Sequence, residues 1–124
     1  MDNNDFGFKN LHVWQRAIDF SDKVFYLLEN LNCDRKHFRL VEQCEAAVSG
    51  IAMNIAEGKG RRSEKTFVQF LLYARGSLNE VIALMEIFRR RNWISKQQQE
   101  EIEADGLALV KMIYGLINTI ENRK

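Results

Sequence analysis

Apolar residues recur along this chain at alternating gaps of three and four, in four stretches separated by short polar breaks. That spacing gathers side chains on one face of an α-helix and predicts four of them. The first, over about 10–31, carries two parallel rows. One is Leu11, Trp14, Ile18, Ser21, Phe25 and Leu28; the other is Val13, Ala17, Phe20, Val24, Leu27 and Leu31. A polar break at 32–36 holds Asp34, placed to N-cap a second helix over 35–57. The second helix has a row of Val41, Cys44, Val48, Ile51 and Ile55 among many small residues, which would let a neighbouring backbone come close. Gly58 follows where a left-handed C-terminal cap would fit.

Ser63 is a good N-cap for the third helix, over 63–90. Its row of Phe67, Leu71, Ala74, Leu78, Val81, Met85 and Phe88 is the strongest periodic signal in the chain. Phe67, Phe70 and Tyr73 share this core-like spacing, so they read as packing residues. Ser95 with Gln98 forms a capping-box pattern opening the fourth helix, over 96–121. Its apolar set is Ile102, Leu109, Ile113, Leu116 and Ile120. Short breaks between long helices force antiparallel neighbours, so the expected fold is an all-α, up-down-up-down four-helix bundle in one domain, 1–124. The two rows of the first helix span a broader arc than one core requires, which reads either as one partly wet apolar edge or as a second interface used for self-association.

Composition agrees with this and limits function. The 124 residues contain no proline, which suits long helices rather than many turns. Eighteen Lys and Arg against 17 Asp and Glu leave a net charge of +1, so any pull toward nucleic acid must come from a local patch. The longest uncharged stretch, Ala46–Ala56, is far shorter than the roughly 20 apolar residues of a membrane span, so no membrane association is expected. The opening MDNNDFGF lacks the basic and apolar regions of a secretory signal. Cys33 and Cys44 make neither a disulfide framework nor a zinc motif, and a reducing cytoplasm suits them.

Catalytic and metal-binding patterns are nearly absent. A di-iron bundle needs Glu-x-x-His on two helices and two further Glu. Here His12 follows Lys9 at that spacing, and the Asp34–His37 pair stands alone. Gly58-Lys59-Gly60 is too short for a phosphate-binding P-loop. The expectation is a non-enzymatic protein without metal or cofactor.

Positive charge concentrates at two places. Between Lys59 and Arg91 eight Lys and Arg face three Glu, in the clusters Lys59, Arg61, Arg62, Lys65 and Arg89-Arg90-Arg91. The third helix separates them by roughly 40 Å, so they cannot merge within one chain. The Arg triplet suits a helix C-terminus. The Lys59–Lys65 cluster is either solvated loop charge or a phosphate contact for RNA or DNA.

The segment Asn54-Ile-Ala-Glu57-Gly58-Lys-Gly60-Arg61-Arg-Ser63, with Phe67-Val-Gln-Phe70-Leu71 and Ala74-Arg75-Gly76-Ser77-Leu78-Asn-Glu80, resembles a bacterial four-helix-bundle family. That family includes the proteins encoded in 23S rRNA intervening sequences. The opening Leu11-His-Val-Trp14-Gln-x-Ala17 matches as well. Two departures stand out: Gly50-Ile51-Ala52-Met53-Asn54 replaces a common S-I-P-x-N, and Cys44-Glu45-Ala46 replaces a basic run. The resemblance implies a four-helix bundle and, for several relatives, a ring-shaped homopentamer. One branch, the accessory protein of diversity-generating retroelements, works with a reverse transcriptase and binds nucleic acid.

Of the matched polar residues, Asn54, Glu57, Arg75 and Glu80 read best as a buried network holding helices two and three in register, a functional surface being the alternative. Gly58 and Gly76 complete that structural motif. Two functions follow as expectations. One is an oligomeric, nucleic-acid-associated accessory protein; the other is a structural or protein-binding scaffold without nucleic-acid affinity.

Overall fold

A computed structural model describes residues 6–123, apart from the side chain of Arg35. Four helices account for most of it: α1 (His12–Glu29), α2 (Phe38–Lys59), α3 (Glu64–Arg90) and α4 (Lys96–Glu121). Short 3-10 turns at Gly7–Asn10 and Arg35–His37 precede α1 and α2. Successive helices are neighbours and α4 closes on α1, with the most extensive interface between α2 and α3. This is an antiparallel up-down-up-down four-helix bundle, and the described residues contain no strand. None of the described helices is long and apolar enough to cross a membrane.

The periodic rows become the core. All seven residues of the α3 row are buried, along with Leu84. In α2 the buried face runs Cys44, Val48, Ile51 and Ile55, with Ala47, Ala52 and Gly58 beside it, while Val41 is half-exposed. Cys44 is fully enclosed, and burial pushes its thiol up to about 12, so it is a protonated packing residue rather than a nucleophile. On α1 the row from Val13 to Leu27 is buried, whereas Trp14, Ile18 and Phe25 of the other row are half-buried against the core. The broad apolar arc of α1 thus keeps one partly wet edge.

Helix ends show where local chemistry settled the boundaries. The Ser63 side chain accepts from the Thr66 N–H at 3.2 Å. Ser95 and Gln98 form the complete reciprocal capping box. Asp34 does not cap α2. The chain passes instead through the 3-10 turn, and α2 opens at Phe38 with no side-chain cap. Gly58 also departs from expectation, because α2 continues through it to Lys59 and its φ is not positive.

The one left-handed residue among those described is Asn92, at φ 63°. It closes α3 in a Schellman motif: the Trp93 N–H donates to the Phe88 carbonyl at 2.9 Å and the Asn92 N–H to that of Arg89 at 3.0 Å. The rings of Trp93 and Phe88, 5.4 Å apart, supply the motif's apolar contact. Asn tolerates this conformation better than other side chains, and glycine better still. Asn92→Ala should therefore destabilise by about 0.5–1 kcal/mol while Asn92→Gly is neutral or stabilising. Paired thermal melts check it, with a Tm drop of roughly 4 °C expected for the alanine variant.

Candidate nucleic-acid interface

The bundle topology brings the start of α1, the end of α2, the start of α3 and the end of α4 to one end of the molecule. Lys59 is the last residue of α2, Arg61 and Arg62 lie in the connection, and Lys65 sits in the first turn of α3. All four are exposed. Three of them, Lys59, Arg61 and Arg62, line a cleft of about 200 Å³ with Ser63, Glu64 and Arg123, over a floor of Leu11, Phe67, Leu116 and Ile120. Lys65 stands apart, lining a separate cleft of about 410 Å³ with Val68, Gln69 and the end of α4. The expected group of four is thus split, and Arg123 is added from the far end of the sequence.

Carboxylates partly neutralise this end. Arg61 donates to Glu57 at 2.6 Å, and Arg123 to Glu64 at 2.6 Å across the α3–α4 junction. These side chains are about half-exposed, so each pair contributes no more than about 1 kcal/mol and can be exchanged for another anion. Lys59 and Arg62 have no carboxylate within 4.0 Å among the described residues. The Lys59 ammonium lies 5.9 Å from the Phe67 ring centre and the Arg61 guanidinium 5.1 Å from that of Phe70. Such cation–π contacts hold the cationic stems against the helix while leaving donors toward solvent. Phe67 is buried and Phe70 half-buried, as packing residues should be. Tyr73 is half-exposed instead, its ring edge-on to Phe70 at 5.4 Å.

The second basic cluster is differently placed. At the opposite end of α3, Glu86 accepts from Arg90 at 2.7 Å, lies 3.6 Å from Arg89 and accepts from Gln99 at 2.5 Å. The Arg90 hydrogen bond, then the Gln99 amide, hold the Glu86 carboxyl below its usual range. Only Arg91 of the triplet has no carboxylate partner among the described residues.

The matched polar residues do not form the expected network. Asn54 donates to the Gly50 carbonyl within its own helix at 2.7 Å, and Glu57 is exposed and takes Arg61. Arg75 bonds Asn79 and lies over the Tyr114 ring of α4 at 5.9 Å. Glu80 is exposed and accepts from Gln43 of α2 at 3.1 Å, so one α2–α3 polar tie is real but involves a different partner. These residues sit at the flanks of the apolar rows and meet a neighbour on the same or the adjacent helix, although the Nε of Arg75 is buried without a hydrogen-bond partner. Gly76 is exposed, and nothing would meet a side chain there. Gly58 is the opposite case: an added Cβ would stand 2.6 Å from the Phe70 Cβ and 3.0 Å from the Phe67 ring. It marks a close approach of α2 to α3 immediately before the basic connection.

No group of three or more His, Cys, Asp or Glu among the described residues is arranged to hold a metal ion. No curated protein matches the chain. In fold it is similar to the crystal structure of a protein with unknown function from the S23 ribosomal protein family of Bacteroides thetaiotaomicron. That likeness has a TM-score of 0.77 at 25% identity and covers 85% of this chain and 97% of that chain. The model of the 23S rRNA-intervening sequence protein family matches residues 9–115. The match takes in all of α1, α2 and α3, the basic connection and most of α4, and the chain belongs to that family.

Proposed function

We propose that this protein is a non-enzymatic, oligomeric helical bundle whose α2–α3 end contacts the phosphates of RNA or DNA. The observation that carries the reading is the convergence of Lys59, Arg61, Arg62 and Arg123 on one cleft, two of them without a carboxylate partner among the described residues. The family's association, by name, with an rRNA intervening sequence supports a nucleic-acid setting. Self-association, as a homopentamer in line with the resemblance, is supported by the wet edge of α1 at Trp14, Ile18 and Phe25. A ring would repeat the basic end around its axis and raise avidity without new residues. A reverse transcriptase is a partner of the kind the resemblance suggests.

Binding at this end should be mainly electrostatic, since no set of base-reading side chains accompanies the cations. With about four phosphate contacts per protomer, log Kd should change with log salt at a slope of about 3–4. Replacing Arg61 and Arg62 by Gln should flatten that slope and leave helical content unchanged, because both lie outside the helices. Fluorescence anisotropy with a short RNA across a salt series measures it. Absence of binding at low salt, or indifference to the double substitution, would leave the cluster as solvated charge. The second reading, a protein-binding scaffold, is favoured by the exposed Leu72, Tyr73, Leu107 and Tyr114 of α3 and α4.

A further inference from the structure

We infer that the cleft between the α2–α3 connection and the end of α4 is a site for a phosphomonoester, the terminal phosphate of a nucleic-acid strand. This rests on the proposed nucleic-acid contact and makes it more specific. Three features of the cleft favour an end over an internal linkage. The first is charge. Among the described residues four cations line it, and the carboxylates of Glu57 and Glu64 each pair with one of them, which leaves the two charges of Lys59 and Arg62. A phosphomonoester carries about −1.5 to −2 near neutral pH, so it matches that excess, whereas an internal phosphodiester carries only a single charge.

The second feature is shape. At about 200 Å³ the cleft falls below the roughly 300–1,000 Å³ of sites that enclose whole small molecules. It admits a phosphoryl group and its ester oxygen but not a base-paired segment. An internal phosphate, with chain continuing on both sides, would ride on the rim. The third feature is the Arg123–Glu64 pair, at 2.6 Å and exposed on both sides. Both residues line the cleft, so an entering dianion competes with Glu64 for the Arg123 guanidinium, whose fork suits bidentate phosphate binding. The apolar floor of Phe67, Leu116 and Ile120 offers no competing acceptor.

The test uses the intact protein and one single-stranded RNA sequence made in four forms: 5′-phosphorylated, 3′-phosphorylated, unphosphorylated and covalently closed. Anisotropy at one fixed salt concentration should show at least one phosphorylated form binding about tenfold tighter than the unphosphorylated and closed forms, the gain of one strong charge-assisted contact. The better arm names the end that is read. Inorganic phosphate should compete away the difference and leave the weaker binding in place.

Arg123→Gln should abolish the preference, bringing the phosphorylated forms down to the affinity of the closed form, which itself falls only by the loss of one phosphate contact. Glu64→Gln should widen the preference by freeing Arg123. Equal affinity for all four forms overturns the inference and leaves the broader contact standing. A preference untouched by Arg123→Gln also overturns it, because the terminal phosphate would then lie elsewhere. Failure of every form, the closed one included, to bind at low salt overturns both readings.

Discussion

Leu78→Ala should destabilise the bundle by about 2–5 kcal/mol. Leu78 lies in the middle of α3 and is 1% exposed, and its Cδ1 stands 3.6 Å from the position a Cβ would take at Gly106 of α4. Truncation removes buried methyl groups, and the cavity left behind faces a glycine that has no side chain with which to fill it. The loss should therefore fall toward the upper part of that range. Urea denaturation at matched protein concentration is the measurement, because self-association would make the midpoint depend on concentration. A shift of about 1 M or more is expected, given slopes of about 1–3 kcal/mol/M for chains of this size. An unchanged midpoint would mean that the α3 row does not face the core.

Gly58→Ala should cost about 1–3 kcal/mol, although alanine is the better helix former by about 1 kcal/mol. The new methyl would stand 2.6 Å from the Phe70 Cβ, an atom fixed to the backbone that no rotamer change can move away. The ends of α2 and α3 would have to separate, which also shifts Lys59, Arg61 and Arg62 around the cleft. Gly58→Asn separates this account from a left-handed cap. At a cap Asn would be tolerated almost as well as glycine, whereas at a helix–helix contact it should be worse than alanine. Urea midpoints of the two variants, compared side by side, decide the point.

Gly58 is instructive about what a sequence can say. A glycine one residue from the expected end of an apolar row reads as a cap, because a cap is a local device. The competing reason for glycine, a neighbouring backbone at close range, depends on how two helices pack and leaves no local mark. The left-handed closure at Asn92 has little local signature, because Asn is less common than glycine at that position and the residues before it are an Arg triplet with no apolar period. In the same way Asp34, a residue type that often caps, is bypassed by a 3-10 turn. The expected network of Asn54, Glu57, Arg75 and Glu80 rested on adjacency to apolar positions, and in the bundle those residues fall on the flanks.

The candidate site was half legible. Lys59, Arg61 and Arg62 are contiguous with the α2–α3 connection, so composition alone exposed them. Arg123 is 61 residues beyond Arg62, and nothing in its surroundings sets it apart from any other terminal cation. It joins the cleft because α3 and α4, of similar length and packed antiparallel, return the end of the fourth helix to the start of the third. Lys65 leaves the group for a related reason. Once α3 has begun, successive residues turn by about 100°, and Lys65 lines an adjoining cleft that shares Glu64 and Ile120 with the first.

The alternation of three and four in the apolar rows established the four helices and the buried face of α3, and the residue types at Ser63 and at Ser95 with Gln98 established the caps of α3 and α4. Each of these depends on residues within one or two turns of one another, and a period is visible in any single chain. What only the tertiary structure decided are the contacts between helices. These are the need for glycine at 58, the pairing of Glu80 with Gln43 and of Arg123 with Glu64, and the split of one basic cluster into two clefts. Such contacts are set by the rotation and height of each helix against its neighbour, which a repeating row of similar apolar side chains leaves open.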